Sequence, residues 1–409
     1  MNQSQETNAF AGKRVLLLDG NSLQSLPMLR AFSRLGCAVD AVCPSRTNLG
    51  AVSRYGNRKI IVPAEPAREE EYIARLTEIL ASGRYDLVVP LADNSARLFS
   101  EHKEALSRYA SIAVNDPGVF RAADDKLTTL RVCRENGIPC PKTYSASDSL
   151  DEIVRAVDAY PAALKPRVAS GGKGFRKINS REELEKYYAH AVEKFGPMLV
   201  EEYIPQTGTQ YKCDVYIDRG GGVKSAFVYE KPRWYPVAGG SSCCNVTIDR
   251  PDLIAHSVNL LQKLAWRGYA DLDLIEDPRD GSVRIMEINP RICGSIKIAF
   301  LAGIDFARQI AEDAFGLPVT AYPDYKKNVV MRRFLADCAW FVKSPRRFRT
   351  RPGWFNPCFH GQIFSWDDPV PALVYLGKKL LRPFKRLRLG RRPAAPGQTP
   401  SSGAADRNV

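Results

Sequence analysis

The segment VRIMEINPR, residues 283–291, constrains the fold of this chain more than any other. It places Glu287, Asn289 and Arg291 at alternate positions of a short apolar strand, so the three polar groups share one face of a sheet. A carboxylate, a carboxamide and a guanidinium side by side suit a divalent cation that bridges phosphate oxygens. An isolated E-x-N-x-R pattern is more often an ordinary ion pair on a half-exposed strand, so its meaning depends on other motifs.

A second motif precedes it at residues 164–178, LKPRVASGGKGFRKI. Here an apolar segment contains Lys165, a loop rich in glycine and serine follows at 170–174, and an apolar strand resumes. Glycines let backbone N–H groups approach phosphate oxygens, and a lysine neutralises their charge. The loop is neither a Walker loop nor a dinucleotide fingerprint, because no helix opens after it. Taken alone, a flexible hairpin turn is the more frequent explanation.

The order and spacing of four features resemble the ATP-grasp superfamily, which includes biotin carboxylase, carbamoyl phosphate synthetase and D-alanine:D-alanine ligase. These features are Lys126 in AADDKLTTL, Lys165 with its loop, LVEEYI at 199–204, and Asp273 with the VRIMEINPR segment. The resemblance covers roughly residues 13–320. It implies an α/β (α+β) ATP-grasp fold with an N-terminal Rossmann-like domain, and an ATP-dependent ligase of the carboxylate-amine or carbamoyl-phosphate-synthetase-like type.

The same resemblance implies roles in nucleotide binding. Lys126 and Lys165 would reach the α and β phosphates, under a mobile flap. Glu201 would accept from the adenine amino group, while backbone groups of two following residues read the ring edge. The flap residues are Ser170, Gly171, Gly172 and Gly174, and the backbone contacts come from Glu202 and Ile204. Gln210, or alternatively Lys212, lies near the expected ribose contact.

For the metal and the reaction, the resemblance implies that Asp273 and Glu287 hold Mg2+ or Mn2+. Two ions are expected, with Glu287 bridging them and Asn289 completing the second. Arg291 would stabilise the transferring phosphoryl group or the tetrahedral intermediate. A substrate carboxylate would attack the γ phosphate, and an amine would then displace phosphate from the acyl phosphate while the flap excludes water. A phosphotransferase, a carbamoyl phosphate-forming enzyme and a non-catalytic nucleotide-binding scaffold remain as alternatives.

The segment YEKPRWYPVAGGSSCCN, residues 229–245, reads as a strand and loop that line the acceptor side by analogy. Lys231 and Arg233 are candidates for binding a substrate carboxylate, although solvated cations on a surface turn are equally frequent. Further substrate candidates are Gly239, Gly240, Ser241, Ser242, Arg291 and Ser295. We expect a small-molecule carboxylate and amine as partners, with a homodimer as an option.

Strand and helix patterns divide the chain into six parts. We expect a flexible N-terminus at 1–12, a parallel α/β domain at 13–115, a small ATP-grasp subdomain at 116–199 and a large one at 200–325. An aromatic and basic extension is expected at 326–375, followed by a basic tail at 376–409. In the α/β domain, loops at 20–22 and 93–95 follow strands, where open sheets bind ligands. Their residues are more often plain turn and cap residues, but a place in the substrate pocket stays open.

Composition indicates a globular enzyme, with 44% hydrophobic and 25% charged residues. The ten cysteines form no C-x-x-C pair, and the polar N-terminus does not read as a signal peptide, so reduced thiols and a cytoplasmic location are expected. The net charge of +14 is carried by residues 326–409, which hold 18 Lys+Arg and 4 Asp+Glu, whereas the rest is balanced.

The tail offers two readings. Residues 376–392 interleave six Leu or Phe residues with eight cations, as in an amphipathic segment on an anionic membrane. A solvated, partly disordered extension is the other reading, because Pro383 is expected to interrupt a helix. Nucleic acid fits less well, since Phe384 is the sole aromatic of this block.

Overall fold

The structure, a computed structural model, describes residues 9–63, 68–145, 149–237 and 240–389, with the side chains of Ser145 and of 382–389 excepted. The expectations for residues 1–8, for Gly239 and for the tail beyond 389 therefore lie outside the described residues. Among the helices of the described ranges, none combines the length and apolar content needed to cross a membrane.

The N-terminal part is a five-stranded sheet in the order β3-β2-β1-β4-β5, in which all pairs are parallel. Its strands are β1 Arg14–Leu17, β2 Ala38–Cys43, β3 Arg58–Ile61, β4 Leu87–Val89 and β5 Ser111–Ile112; its helices are α1 Ser25–Arg34, α2 Leu49–Val52, α3 Glu69–Ala81, α4 Asp93–Glu101 and α5 Lys103–Leu106. Apolar runs bury the central strands on both faces, as helix-covered parallel sheets require. The expected parallel α/β unit is thus confirmed.

Next come two helices and a four-stranded antiparallel sheet in the order β6-β9-β7-β8. The elements are α6 Pro117–Asp124, α7 Lys126–Glu135, β6 Thr143–Ser145, α8 Leu150–Ala156, β7 Ala162–Pro166, β8 Arg176–Ile178, α9 Arg181–Phe195 and β9 Met198–Glu202. The glycine-rich loop joins β7 to β8, so it is the turn of a hairpin. Side chains of α8 and α9 cover this sheet around Leu164 and Val200.

The largest sheet has seven strands in the order β14-β13-β10-β11-β12-β15-β16. Its elements are β10 Gln210–Ile217, β11 Val223–Tyr235, β12 Ser241–Ile248, α10 Pro251–Lys263, β13 Gly268–Glu276, β14 Val283–Asn289, α11 Lys297–Ala302, α12 Phe306–Ala314, β15 Val330–Arg332, α13 Phe334–Lys343 and β16 His360–Gly361. One core joins this sheet to the N-terminal sheet, since Phe227 and Phe306 share a cluster with Leu17 and Phe32. That shared core fixes the two sheets relative to each other.

A final helix, α14 Val370–Leu389, follows the aromatic extension. The expectation that Pro383 interrupts a helix is wrong for the described backbone, because the helix continues through this position. The helix is tied to the N-terminal sheet by Asp368, which accepts from Arg30 Nη2 at 2.9 Å and from Ser53 Oγ at 2.7 Å. Since all three side chains are buried, these contacts fix the start of α14 firmly.

Candidate active site

The centre of the site is the antiparallel pair β13 and β14. Asp273 stands directly opposite Glu287, and Asp271 stands opposite Asn289. The Asn289 Nδ2 donates to Asp273 Oδ2 at 2.9 Å. The alternation in VRIMEINPR therefore brings carboxylates of neighbouring strands to one face of the sheet.

Two lysines surround Asp273, one from the adjacent strand β10 and one from β11 on the far side of β10. Lys212 of β10 lies opposite it in register and reaches its Oδ2 at 3.0 Å, while Lys231 of β11 reaches Oδ1 at 2.6 Å. Burial by itself would raise the pKa of Asp273, but the two ammonium groups outweigh it and hold the pKa far below its usual value. Asp273 is therefore a carboxylate at every physiological pH.

Two further lysines face carboxylates from the helix and the small sheet. Lys126, at the first position of α7, lies 3.1 Å from Glu287 and donates to the Ala169 carbonyl at 2.8 Å. Lys165 of β7 lies 2.7 Å from Glu201 of β9. Burial raises the pKa of Glu201 despite this pairing. In this structure each lysine of the nucleotide motif is thus held by an acid.

A cavity of about 200 Å3 opens beside these groups. It is lined by residues of four segments, namely the start of α4, the junction of α6 and α7, the loop after β7 and the end of β14. These include Asp93, Arg97, Asp124, Lys126, Ser170, Glu287 and Asn289. The wall formed by Ala169 and Ser170 belongs to the hairpin turn. Gly174 lies at the base of this turn with φ +76°, and a Cβ there would approach Pro166 Cγ to 2.6 Å, so only glycine fits.

Arg291 connects the cluster to the N-terminal sheet. Its Nε donates to Asp93 Oδ1 at 2.9 Å, its Nη2 donates to Asn289 Oδ1 at 3.0 Å, and its Nη1 lies 3.6 Å from Asp271. The sequence places the 93–95 loop at a strand end but does not predict the contact of Asp93 with Arg291. The sequence signal for this contact is weak, because aspartate is common in the first turn of helices that bind no ligand.

The residues of LVEEYI that are predicted to contact adenine have internal partners as well. The Glu202 amide donates to the Lys142 carbonyl at 2.8 Å, so any contact of this backbone with a ring edge rests on its carbonyl group. The Ile204 carbonyl accepts from Gln206 Nε2 at 3.2 Å, and Gln210 Nε2 donates to Gln206 Oε1 at 3.2 Å. Gln210 thus lies at the edge of this segment.

A buried polar layer lies beneath the carboxylates. Ser295 is within 2.7 Å of the Tyr229 hydroxyl and is itself buried, which places it under the site. Cys293 Sγ donates to Asp214 Oδ2 at 3.5 Å. Burial, together with the neighbouring Asp271, raises the pKa of Asp214 well above its ordinary value. This layer supports the strands from below.

The structure contradicts the expectation that Arg233 binds a substrate carboxylate. Its side chain is fully buried, where Nε donates to Asp337 Oδ1 at 2.6 Å and Nη1 donates to the Pro352 carbonyl at 2.7 Å. The pairing of β11 with β12 shifts register on both sides of Arg233, next to Pro232, which has no N–H to donate. The irregularity turns Arg233 away from Lys231 and towards α13.

Gly240 and Ser241 lie at the opposite end of β11 and β12 from Glu230. Ser241 pairs with Tyr235, and a Cβ on Gly240 would lie 2.5 Å from the Tyr235 carbonyl oxygen. Close backbone approach therefore accounts for the glycine. Within the described residues, neither position is part of the cavity wall next to Lys126.

Comparisons with known proteins agree with this geometry. Residues 123–295 match the family described as ATP-grasp domain. The D-aspartate ligase of Enterococcus faecium is 25% identical over 324 residues, 73% of this chain and 76% of that protein. The C-terminal section of the carbamoyl phosphate synthase large chain of Methanopyrus kandleri is 23% identical over 256 residues, 59% of this chain but only 43% of that protein.

A solved structure shows the same fold. The biotin carboxylase domain of Hydrogenobacter thermophilus 2-oxoglutarate carboxylase, a dimer in complex with MgADP, ADP and bicarbonate, has a TM-score of 0.67 at 18% identity. The match covers 78% of this chain and 73% of that chain. Residues 123–295 thus form an ATP-grasp domain. The relatives and solved structures that resemble the chain support an ATP-dependent ligase.

Proposed function

We propose that the protein is an ATP-dependent carboxylate-amine ligase that forms a C–N bond through an acyl phosphate. The observation that carries this proposal is a connected cluster: Lys126, Glu287 and Asn289 line one cavity, and Asn289 is hydrogen-bonded to both Asp273 and Arg291 behind them. Phosphoryl transfer depends on positioning and on neutralising the charge spread over the phosphoryl oxygens, and this arrangement provides both. No side-chain nucleophile is needed.

The donor set fits Mg2+ bound with ATP. Asp273, Glu287 and Asn289 offer carboxylate and carboxamide oxygens, which are the ligands that hard divalent cations prefer. When bound, MgATP would supply the γ phosphoryl group and offset its negative charge. Asp273 and Glu287 would hold the metal, and Asn289 would contribute to a second ion, with Glu287 shared between the two.

The lysines would exchange their acid partners for phosphate oxygens. Lys126 and Lys165 are held by Glu287 and Glu201 in this structure, so each ammonium is already aimed into the nucleotide region. Binding of a polyphosphate would replace each contact with a charge-assisted hydrogen bond. Freed from Lys126, Glu287 would keep both oxygens for the cation.

The hairpin turn between β7 and β8 would close over the triphosphate. Gly171 and Gly172 have φ of +67° and +72°, and a Cβ at either would meet open space, so the turn presents its backbone without side-chain bulk. Closure would place backbone N–H groups of residues 170–174 on phosphate oxygens. It would also exclude water, which otherwise hydrolyses an acyl phosphate before the amine arrives.

Lys231 and Arg291 would bind the substrate on the acceptor side, whereas the buried Arg233 has no role there. Lys231 is 12% exposed at its side chain and reaches the Asp273 carboxylate across the intervening strand β10. An amino acid as one substrate is supported by the similarity to the D-aspartate ligase of Enterococcus faecium. We also propose a homodimer, in keeping with the dimeric neighbour.

The carbamoyl phosphate synthase relative favours a second candidate, in which the acyl phosphate itself is the product. Purified enzyme should be given MgATP with amino acids, hydroxy acids and amino sugars, singly and in pairs, and the nucleotide, phosphate and organic products identified. ADP and phosphate formed only when a carboxylate and an amine are both present would establish the ligase. A phosphorylated product would favour the second candidate, and ATP binding without turnover in any pair would favour a scaffold.

A further inference from the structure

Exposed apolar side chains are concentrated in the C-terminal extension. Of the 16 large hydrophobic residues that are exposed in the described chain, 11 lie between residues 334 and 381. The most exposed among them are Trp366, Phe348, Phe355 and Val342, at 89%, 74%, 71% and 71%. Single exposed apolar residues are ordinary, but such a concentration marks an interaction surface.

Cations accompany these side chains, and exposed acids are few. From Lys343 to Trp366 the chain holds five Lys or Arg residues, all of them exposed, and no Asp or Glu. Arg347 lies over the Phe348 ring, 5.7 Å from its centroid. The helix α14 likewise contains no acid in its sequence. Between residues 334 and 381 the acids are Asp337 and Asp368, which are buried, and Asp367, which is partly exposed and paired with Arg34. The surface therefore combines apolar side chains with a predominantly positive charge.

The exposed rings of Phe348 and Phe355 are supported by contacts with Phe341. Phe341 contacts Phe348 and Phe355 edge-on, with centroids 5.5 and 5.6 Å apart, and packs against Trp354 at 4.5 Å. The Trp354 Nε1 donates to the Asp337 carbonyl at 3.2 Å, so this support is anchored to α13. Because the rings are fixed in this way, they remain in solvent instead of folding onto the body.

The first part of α14 adds an apolar stripe. Leu373, Leu376 and Leu380 recur at helical spacing and are 64%, 39% and 62% exposed. The opposite face uses Ala372 and Tyr375 to pack on the N-terminal body. A helix with one face docked and leucines pointing to solvent has an unpartnered apolar face.

We infer that residues 334–381 form a docking surface for an anionic lipid bilayer, in which Phe348, Phe355 and Trp366 and the α14 leucine stripe enter the interface. Apolar groups between basic residues partition into the boundary of headgroups and acyl chains, and anionic headgroups attract the cations. A second copy of this chain fits less well, since it would bring the same positive charge against itself. The inference does not depend on the ligase reaction.

The test uses the full chain and flotation with vesicles of phosphatidylcholine alone or mixed with phosphatidylglycerol. Wild type should bind the mixed vesicles, bind them less at high salt, and bind the neutral vesicles weakly. Leu373→Glu with Leu380→Glu, and separately Phe348→Ser with Phe355→Ser, should each lower binding about tenfold or more. Val192→Glu, which changes an exposed aliphatic residue on α9, is the matched control and should bind as wild type.

ATP turnover and thermal melting of each variant serve as folding checks, because none of the changed residues touches the proposed active site. Equal binding of wild type and both double variants would overturn the inference, as would binding to neutral and anionic vesicles alike. The last measurement is the oligomeric state of wild type and the variants, determined by sedimentation without lipid. A wild-type dimer that the leucine changes dissociate, with no vesicle binding, would replace the bilayer by a second copy.

Discussion

Arg291 and Asp93 are joined by a hydrogen bond of 2.9 Å from Nε to Oδ1, although they follow strands of two different sheets. Arg291 follows β14 and Asp93 begins α4 of the N-terminal unit. The N-terminal sheet thus contributes directly to the position of the guanidinium that we assign to the transferring phosphoryl group. Asp93 is a positioning residue in this arrangement, because it acts through Arg291.

We expect Asp93→Asn to lower kcat about tenfold, since it weakens a hydrogen bond between charged groups. The KM for ATP should change little, because Asp93 has no assigned contact with the nucleotide, and the melting temperature should stay near that of wild type. Steady-state kinetics with the identified substrates would measure this split. Asp116→Asn, which removes an exposed carboxylate paired with Lys103 at 2.7 Å, is the control and should leave both constants unchanged.

Glu287→Gln should reduce turnover about a hundredfold or more, because the variant loses the carboxylate that faces both Asp273 and Lys126. Folding should be preserved, since the Glu287 side chain is 28% exposed and the amide is isosteric. Turnover and thermal melting would be compared with Glu276→Gln, a change at the far end of β13. Wild-type turnover in Glu287→Gln would contradict the proposed metal role.

Local patterns were sufficient to predict much of this site. Glu287, Asn289 and Arg291 share a face because strand geometry fixes a period of two. The parallel N-terminal sheet follows from alternating apolar strands and helices. Both features depend on neighbours in sequence, which is why the sequence alone predicts them.

Long-range register accounts for what the sequence did not predict. Lys212 meets Asp273 only because β10 pairs with β13 in one particular register, and nothing within KCDVYI encodes that partner. Lys231 and Arg233 are both expected on the acceptor side by analogy, and a regular strand would keep residues two apart on one face. The register shifts beside Pro232 break that period, so Lys231 contacts Asp273 whereas Arg233 is buried against Asp337.

The buried pair of Arg233 and Asp337 should be important for stability. Arg233→Met leaves the Asp337 carboxylate buried with fewer partners, and breaking such a pair costs about 3–5 kcal/mol of unfolding free energy. Urea denaturation would measure the loss. Arg250→Met removes the corresponding cation from an exposed pair with Asp252 and should cost less than about 1 kcal/mol. Equal losses in both variants would contradict the structural role of Arg233.

Asp214 should make stability depend on pH. Burial raises its pKa well above 3.8, and its Oδ1 has no hydrogen-bond partner among the described residues. A carboxyl whose pKa is higher in the folded state than in the unfolded state contributes stability that is full below the unfolded pKa. That contribution is lost as the pH rises towards the folded pKa.

Asp214→Asn removes this titration, so its unfolding free energy should fall less than that of wild type between about pH 5 and pH 8. Urea denaturation at several pH values in this range would give both curves. Asp252→Asn is the control: because Arg250 lowers the pKa of Asp252, that group stays ionised throughout the range, and its variant should differ from wild type by a constant amount. Parallel curves for Asp214→Asn and wild type would show that Asp214 is not held protonated by its burial.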